Sequence, residues 1–483
     1  MPTTDADSLA RTKRYMPWLV AVALFMENLD ATIVNTAVPT MATSLNVAPL
    51  SLKGVLTSYT LSLAVFIPIS GWMADRFGTK QVFKLAIGLF IIGSLLCGVA
   101  PNVPFLVASR ILQGIGGAMM TPVGRLALVR TFLRSELLSA MNYVIIPALI
   151  GPLLGPFVGG LIVHWLHWRV IFFLNLPFGF VGLWMVRRYM PDFRDENTPP
   201  LDRLGFLLFG TGIALLSYVL EVFGEHTMKL TDISFMLAGA IVLLAVYVWH
   251  AQQAAAPVLS LALFRIRTFA ISVGGGFFTR IGIGGMPFLL PLLYQIGLGY
   301  PAWQAGLLTM PQAAAAITMK MCSKWILARL GHRLVLISNT VLLGLNIMLF
   351  TQIGPGSPLL AILSLSFTQG FFASLQFTSM NTLTFADVAD KDASKASSLS
   401  STSMQMSLSF GVATASLLAA WFIGHVDQTD ATQTIPALHK AFLAMGAFTI
   451  LSSLMFWRLT STDGDNVSNR VRSPDSSRAA TEA

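Results

Sequence analysis

Charge is scarce in this chain. Asp, Glu, Lys and Arg make up 11% of its 483 residues, against about 25% in soluble domains. That excludes an ordinary soluble globular protein. Cysteine is rarer still: Cys97 and Cys322 are the only two, both in or beside apolar runs and far apart in sequence. They imply neither a disulfide framework nor a thiolate metal site. His164 and His167 of HWLHWR have a spacing that can hold a metal, but no carboxylate lies near them in sequence. An interfacial turn is the simpler reading. The chain carries no HExxH zinc motif, no Walker loop and no GxSxG nucleophile. A membrane enzyme is therefore disfavoured, no cofactor or metal is expected, and ATP is excluded as the direct energy source.

What the chain has is apolar sequence. It is 54% hydrophobic, with a mean hydropathy of +0.70. Runs of about 20 residues recur from end to end, each long enough to cross ~30 Å of hydrocarbon. A transmembrane barrel would show short alternating segments instead. Fourteen spans are expected, at 16–39, 53–74, 83–100, 105–128, 138–163, 169–189, 204–223, 233–250, 269–294, 303–323, 334–352, 358–384, 398–423 and 437–457. The fold class is an all-α polytopic membrane protein.

The net charge of +9 could suggest nucleic acid, but its distribution says otherwise. With the N-terminus in the cytoplasm, 23 of the 31 Lys and Arg fall on that side. Four fall outside (Lys53, Arg169, Lys229, Lys440) and four inside spans (Arg110, Arg125, Arg280, Lys320). This asymmetry places both termini in the cytoplasm. The basic charge orients the protein in a bilayer, and no nucleic-acid partner is expected. Arg11, Lys13 and Arg14 precede the first run much as in a signal peptide. That run is span-length, carries Glu27 and Asp30 and has no convincing cleavage site, so it reads as a retained span. From about Ser461 the chain is polar and aperiodic, the composition of a disordered tail.

WMADRFGTK (72–80) matches WILARLGHR (325–333) at Trp72, Arg76, Gly78 and Lys80, an offset of 253 residues. The same offset carries the first span, from Met16, onto Phe269, where the ninth starts. Two basic loops can look alike by chance, but the agreement with the span count argues for a repeat. The expected organisation is a cytoplasmic tail (1–15), a six-helix bundle (16–190), a linker with two extra spans (191–268), a second six-helix bundle (269–458) and a cytoplasmic tail (459–483). Parallel repeats of this kind build one large class of secondary transporters.

Three stretches carry the motifs. GWMADRFGTKQVFK (71–84) joins spans two and three. In it Gly71 lets helices approach, Asp75 and Arg76 can bridge helix ends, Gly78 suits a tight turn, and Lys80 adds charge. ASRILQGIGGAMMTP (108–122) sets Arg110 in span four with Gln113 three residues on. An intramembrane Arg needs a carboxylate, carbonyls or water, so it either supports function or locks helices together. ALIGPLLGPFVGGLI (148–162) puts Gly151, Gly155 and Gly159 on one face, with Gly160 beside them. Pro152 and Pro156 interrupt the backbone ladder there. Physically, that is a packing and kinking element.

The first stretch resembles the cytoplasmic loop signature of the major facilitator superfamily almost completely. Ala328 replaces Asp75 in the second half, so any gating contact made by Asp75 is asymmetric. The resemblance implies that Arg110 is linked to proton transfer. It also implies that Gly155, Pro156, Gly159 and Gly160 form the antiporter signature of exporters. LDATIVNTAVP (29–39) and WRVIFFLNLPFG (168–179) resemble the fourteen-span drug:proton antiporter family of EmrB/QacA type. PVGRLALVR (122–130), RIGIGGMPFLLPLLYQIGLG (280–299) and TSMNTLTF (378–385) look most like its MdtD branch.

Glu27 and Asp30 lie about 60° apart around a helix, and Asn28, Thr32 and Asn35 cluster on an adjacent arc. Such a span faces protein or a water-filled cavity, not lipid. Two nearby carboxylates in low dielectric do not both ionise cheaply, which suits a proton carrier. Proton coupling is therefore expected at Asp30 first, then at Glu27, with Arg110 beside them; the alternative is a structural pair bonded to Arg110 or Arg125. The four intramembrane cations leave the interior about +2 if both acids ionise. A cationic cavity favours anions such as organic acids or metal chelates, unless Lys320 merely snorkels to the cytoplasmic surface. Asn35, Gln113, Arg125, Arg280, Lys320 and Asn381 are the candidate cavity residues. The expected function is proton-coupled export of drugs or metabolites by alternating access, with anionic cargo as the alternative. An importer and a membrane enzyme are weaker rivals. The partners are a small-molecule substrate, protons and the bilayer of the cell inner membrane, with the chain acting as a monomer.

Overall fold

A computed structural model describes residues 5–132, 134–195, 198–223, 229–389, 392–423 and 431–468. Among them the only long elements are helices, and there is no strand. The helices are α1 (Asp5–Ile33), α2 (Val38–Leu45), α3 (Lys53–Phe77), α4 (Thr79–Gly98), α5 (Val103–Thr131), α6 (Arg134–Trp165), α7 (Val170–Phe173) and α8 (Asn175–Tyr189). They continue as α9 (Arg203–Phe223), α10 (Leu230–Gln253), α11 (Arg267–Leu292), α12 (Ala302–Leu349), α13 (Leu359–Thr384), α14 (Ala393–Ile423), α15 (Ala431–Ser452) and α16 (Asp465–Ser468). Twelve stretches of the described residues are long and apolar enough to cross a membrane. One of them, Ala302–Gln352, is broken at Gly331, and α6 adds a shorter apolar stretch, Ile150–Trp165.

The two matched loop motifs adopt matching backbone. Gly78 (φ 93, ψ 139) ends α3, and Gly331 (φ 75, ψ 162) breaks α12. Both angles lie in the left-handed region, where a β-carbon is strained. Helices α1 and α3–α8 pack chiefly among themselves, as do α11–α15. The pair α9 and α10 packs together and leans on α3 and α14 through α9. Two seams join the halves, α6 on α12 and α3 on α14.

The ends of alternate helices meet at the loop face. Arg130 at the end of α5 donates to Asp75 at the end of α3, at 2.7 Å. Lys13 pairs with Glu136 of α6 at 2.7 Å. The segment after α8 then folds back over the loop. Asp192 accepts from the Lys80 N–H at 3.0 Å, Thr79 N–H donates to Phe193 O at 3.0 Å, and Asp195 N–H donates to Asp75 O at 2.9 Å. A β-carbon on Gly78 would strike the Asp192 carboxylate, whereas one on Gly71 would meet nothing within 4 Å. Gly78→Ala is therefore expected to cost about 1–3 kcal/mol of strain, seen as a lower melting midpoint. Gly71→Ala should leave the midpoint unchanged, and equal midpoints for the two variants would contradict this account.

The expected structureless tail needs correction over its first residues. Residues 461–468 fold back on the loop face of the second half. Arg267 Nη2 reaches Asp463 Oδ1 at 2.5 Å, and Asn466 Nδ2 donates to Ala386 O at 2.6 Å. Side-chain pairing holds this segment where apolar periodicity is missing. Residues 469–483 lie outside the described residues.

Candidate functional site

The first span carries the acids and does not run straight. Pro39 has no N–H to offer Asn35 O, and the ladder loosens into a short 3-10 turn at Asn35–Ala37 between α1 and α2. Glu27 and Asp30 sit within α1, and their angular separation sends them to different surroundings.

Asp30 points into the first bundle and is fully buried. Its Oδ2 accepts from Arg110 Nη1 at 2.5 Å. Its Oδ1 accepts from Gln113 Nε2 at 2.9 Å and from Asn175 Nδ2 at 2.7 Å. Arg110 also donates to Gln113 Oε1 at 2.7 Å and, through Nε, to Val55 O at 3.2 Å. Its guanidinium lies 4.3 Å from the Tyr59 ring centroid. Ser94 Oγ accepts from Gln113 and Asn175 and donates to Phe172 O at 2.9 Å. The helical spacing of Arg110 and Gln113 sets both on the α5 face that meets α1 and α4. The Asp30 carboxylate, the two amides and the Ser94 hydroxyl each have a partner, as buried polar groups require, whereas the buried Tyr59 hydroxyl has none among the described residues. Asn175 and Ser94 were not anticipated. Asn175 is the one amide in WRVIFFLNLPFG, which was the available signal; Ser94 gave none.

Glu27 faces the other way, onto a central cavity of about 950 Å³ between the halves. Its Oε2 accepts from Thr121 Oγ1 at 2.7 Å. Of the anticipated cavity residues, Asn35, Arg125, Lys320 and Asn381 line this wall, together with Arg110 and Tyr59. Asp30, Gln113 and Arg280 do not. Gln113 spends its amide on the Asp30 cluster, and Arg280 is only 1% exposed. Arg125 and Lys320, expected to be buried, are exposed on the cavity wall, because the space between the bundles is open there.

The cavity continues into a vestibule of about 1300 Å³ at the loop face, sharing Ile67, Thr121, Arg125 and Ser401 with it. Gly71, Trp72 and Asp75 form one side of the vestibule, and the end of α10 with the segment 254–265 that follows it forms another. The opposite end is shut. Gln295 Nε2 donates to Thr36 O at 2.8 Å, and Ser409 Oγ to Thr57 O at 3.3 Å. The α6 glycines work at this end. Gly151, Gly155 and Gly159 lie against α1, and a β-carbon on Gly160 would strike Ala302 O of the other half. The prolines at 147, 152 and 156 leave α6 one continuous helix. At the outer turn, His167 is occupied by Arg169, whose guanidinium lies 3.2 Å from its Nε2. Burial and that neighbouring cation hold its pKa below the ordinary imidazole value.

Two helical bundles around a cavity open at one end only, with a buried ion pair beside it, define a multi-pass membrane transporter. The family profile described as Major Facilitator Superfamily matches residues 20–407 and, again, 274–481. The chain is 40% identical to the putative multidrug resistance protein MdtD of Klebsiella pneumoniae (strain 342) over 466 residues, covering 96% of this chain and 98% of that one. It is 39% identical over 458 residues to the protein of the same name from Serratia proteamaculans (strain 568), covering 94% of each. Among solved structures, a bacterial homologue of the human lysosomal transporter Spinster, inward-facing and unoccupied, superposes with a TM-score of 0.68 at 13% identity, covering 96% of this chain and 99% of that one. A D-xylose–proton symporter gives 0.63 at 15%, covering 93% and 99%. The chain belongs to the major facilitator superfamily and, within it, to the MdtD branch.

Proposed function

We propose that the protein is a proton-coupled exporter of small molecules, working by alternating access as a monomer in the cell inner membrane. In this reading the chain crosses fourteen times, with the break at Gly331 separating two crossings and α6 supplying another. Both termini and the loop face are cytoplasmic, so the open vestibule faces inward. The observation that carries the reading is the division of labour on α1. Glu27 stands on the cavity wall, where protons and substrate reach it. Asp30 stands one turn away in a buried cluster that ties α1 to α5 and α8.

Proton uptake by Glu27 removes its charge from the wall and changes what the cavity holds best. Coupling needs that differential preference between states and nothing more. The Asp30–Arg110 pair keeps α1 and α5 moving together, so a change at Glu27 is felt across the bundle. The multidrug-resistance names of the relatives and the α6 glycine motif support export over import. An anion-carrying substrate is favoured over a simple lipophilic cation by one feature. Arg125 and Lys320 stand on the wall with no ion pair among the described residues, against the single carboxylate of Glu27.

The test uses purified protein in proteoliposomes with an internal pH probe and an imposed proton gradient. Adding substrates of each charge class should move protons against the direction of substrate flow. Substrate movement that is indifferent to collapse of the gradient by an ionophore would sink the coupling.

A further inference from the structure

Glu27 and Arg280 are 253 residues apart. That is the offset relating the two loop motifs and their left-handed glycines, so the two positions are equivalent in the two halves. One is an acid and the other a base. Arg280, on α11, is 1% exposed, and its Nε and Nη1 have no hydrogen-bond partner among the described residues. Its guanidinium lies 5.5 Å from the centroid of the Phe377 ring, and Phe377 lines the cavity. Gly276 makes room behind it: a β-carbon there would come within 2.9 Å of Nη1. A buried guanidinium without a counterion costs several kcal/mol. Such a group is expected to meet an anion in some state of the protein. Asn381, one turn from Phe377 on α13, and Lys320 of α12 stand on the same side of the cavity. Arg110, by contrast, is already neutralised by Asp30.

We propose that the cavity takes an amphoteric substrate, its cationic nitrogen against Glu27 and its oxyanion group held between Lys320 and Arg280 once the Phe377 ring swings aside. The proposal rests on the exporter reading for its meaning in transport. Proton and ammonium group then compete for one carboxylate, while the anionic end stays anchored in the second half. Phe377 is a gate. With the ring in place the guanidinium is hidden from water, and with the ring displaced it meets its counterion.

The experiment measures equilibrium binding to the full-length protein in nanodiscs, with no gradient. The probes share one scaffold: an arylpiperazine carboxylic acid, its methyl ester and its N-acetyl derivative. A charge-assisted hydrogen bond contributes about 1.5–3 kcal/mol, so the amphoteric acid should bind roughly 10- to 100-fold more tightly than either blocked form. Arg280→Gln should bring the acid down to the level of its ester and leave the ester unchanged. Phe377→Ala should tighten the acid alone, and this variant decides the matter if Arg280→Gln fails to fold. Equal affinity of the three probes, no binding of the acid, or equal loss for all three in Arg280→Gln overturns the proposal. Proton-driven transport that ignores the pairing of charges overturns it and leaves the exporter reading standing. Preferential binding of the acid without proton-driven movement does the reverse.

Discussion

Asp30→Asn is expected to abolish proton-driven efflux and, at the same time, to lower the melting midpoint of the solubilised protein. The carboxylate is the sole counterion that the described residues give Arg110, and both groups are buried, Arg110 at the edge of the cavity. Removing one partner of a buried pair leaves the other charge uncompensated, at a cost of about 3–5 kcal/mol. An amide still accepts from Gln113 or Asn175, so the fold survives with its first bundle loosened. Arg110→Gln alone should be similarly harmful. The double variant Asp30→Asn, Arg110→Gln should recover part of the midpoint, because neither charge is then orphaned. It should not recover efflux. Strictly additive losses of stability would show that the two side chains do not act as a pair.

Glu27→Gln should do something quite different. Glu27 faces the cavity and has one hydrogen bond, from Thr121, which a glutamine oxygen still accepts. The midpoint should change by less than about 1 kcal/mol in stability terms, the ordinary net worth of one such bond. Proton-driven accumulation should vanish, and with it the dependence of efflux rate on pH. Substrate-for-substrate exchange without a gradient should continue at saturating substrate, since the cavity and its alternation remain. Efflux in Glu27→Gln with an unchanged pH profile would place the proton site elsewhere. Together the two variants separate a residue that holds the bundle together from one that exchanges with the cavity.

The architecture was readable because a bilayer imposes few choices. Span-length apolar runs were enough to read an all-helical polytopic fold, and twelve stretches of the described residues are long and apolar enough to cross a membrane. The pairing of Asp30 with an arginine was one of the readings left open, because polar groups in apolar spans must find each other, but the choice between Arg110 and Arg125 and the joining of Gln113 to the pair came only with the structure. What could not be read was which side of a helix meets water. Glu27 and Asp30 looked like one polar sector, yet their modest angular separation spans the boundary between a wet cavity and a dry bundle. Sequence position gives depth in the membrane, not proximity to the space between bundles. Arg125 and Lys320 therefore proved exposed where burial was expected, while Gln113 and Arg280 proved withdrawn from the wall. Asn175 and Ser94 entered the cluster through tertiary placement of α8 and α4, which no local pattern specifies.

The Asp30 cluster also has a consequence for how the chain is made. Its members emerge from the ribosome far apart in time: Asp30 with the first apolar run, Ser94 with α4, Arg110 and Gln113 with α5, and Asn175 last. Until α5 arrives, α1 sits in the insertion machinery with an acid that has no base to meet. Arg110 would itself cost about 2.5–3.5 kcal/mol on entering lipid alone. Each helix thus removes the other's obstacle to leaving the translocon. The ion pair that ties α1 to α5 in the folded chain is thus also what each of the two helices gains by meeting the other in the bilayer.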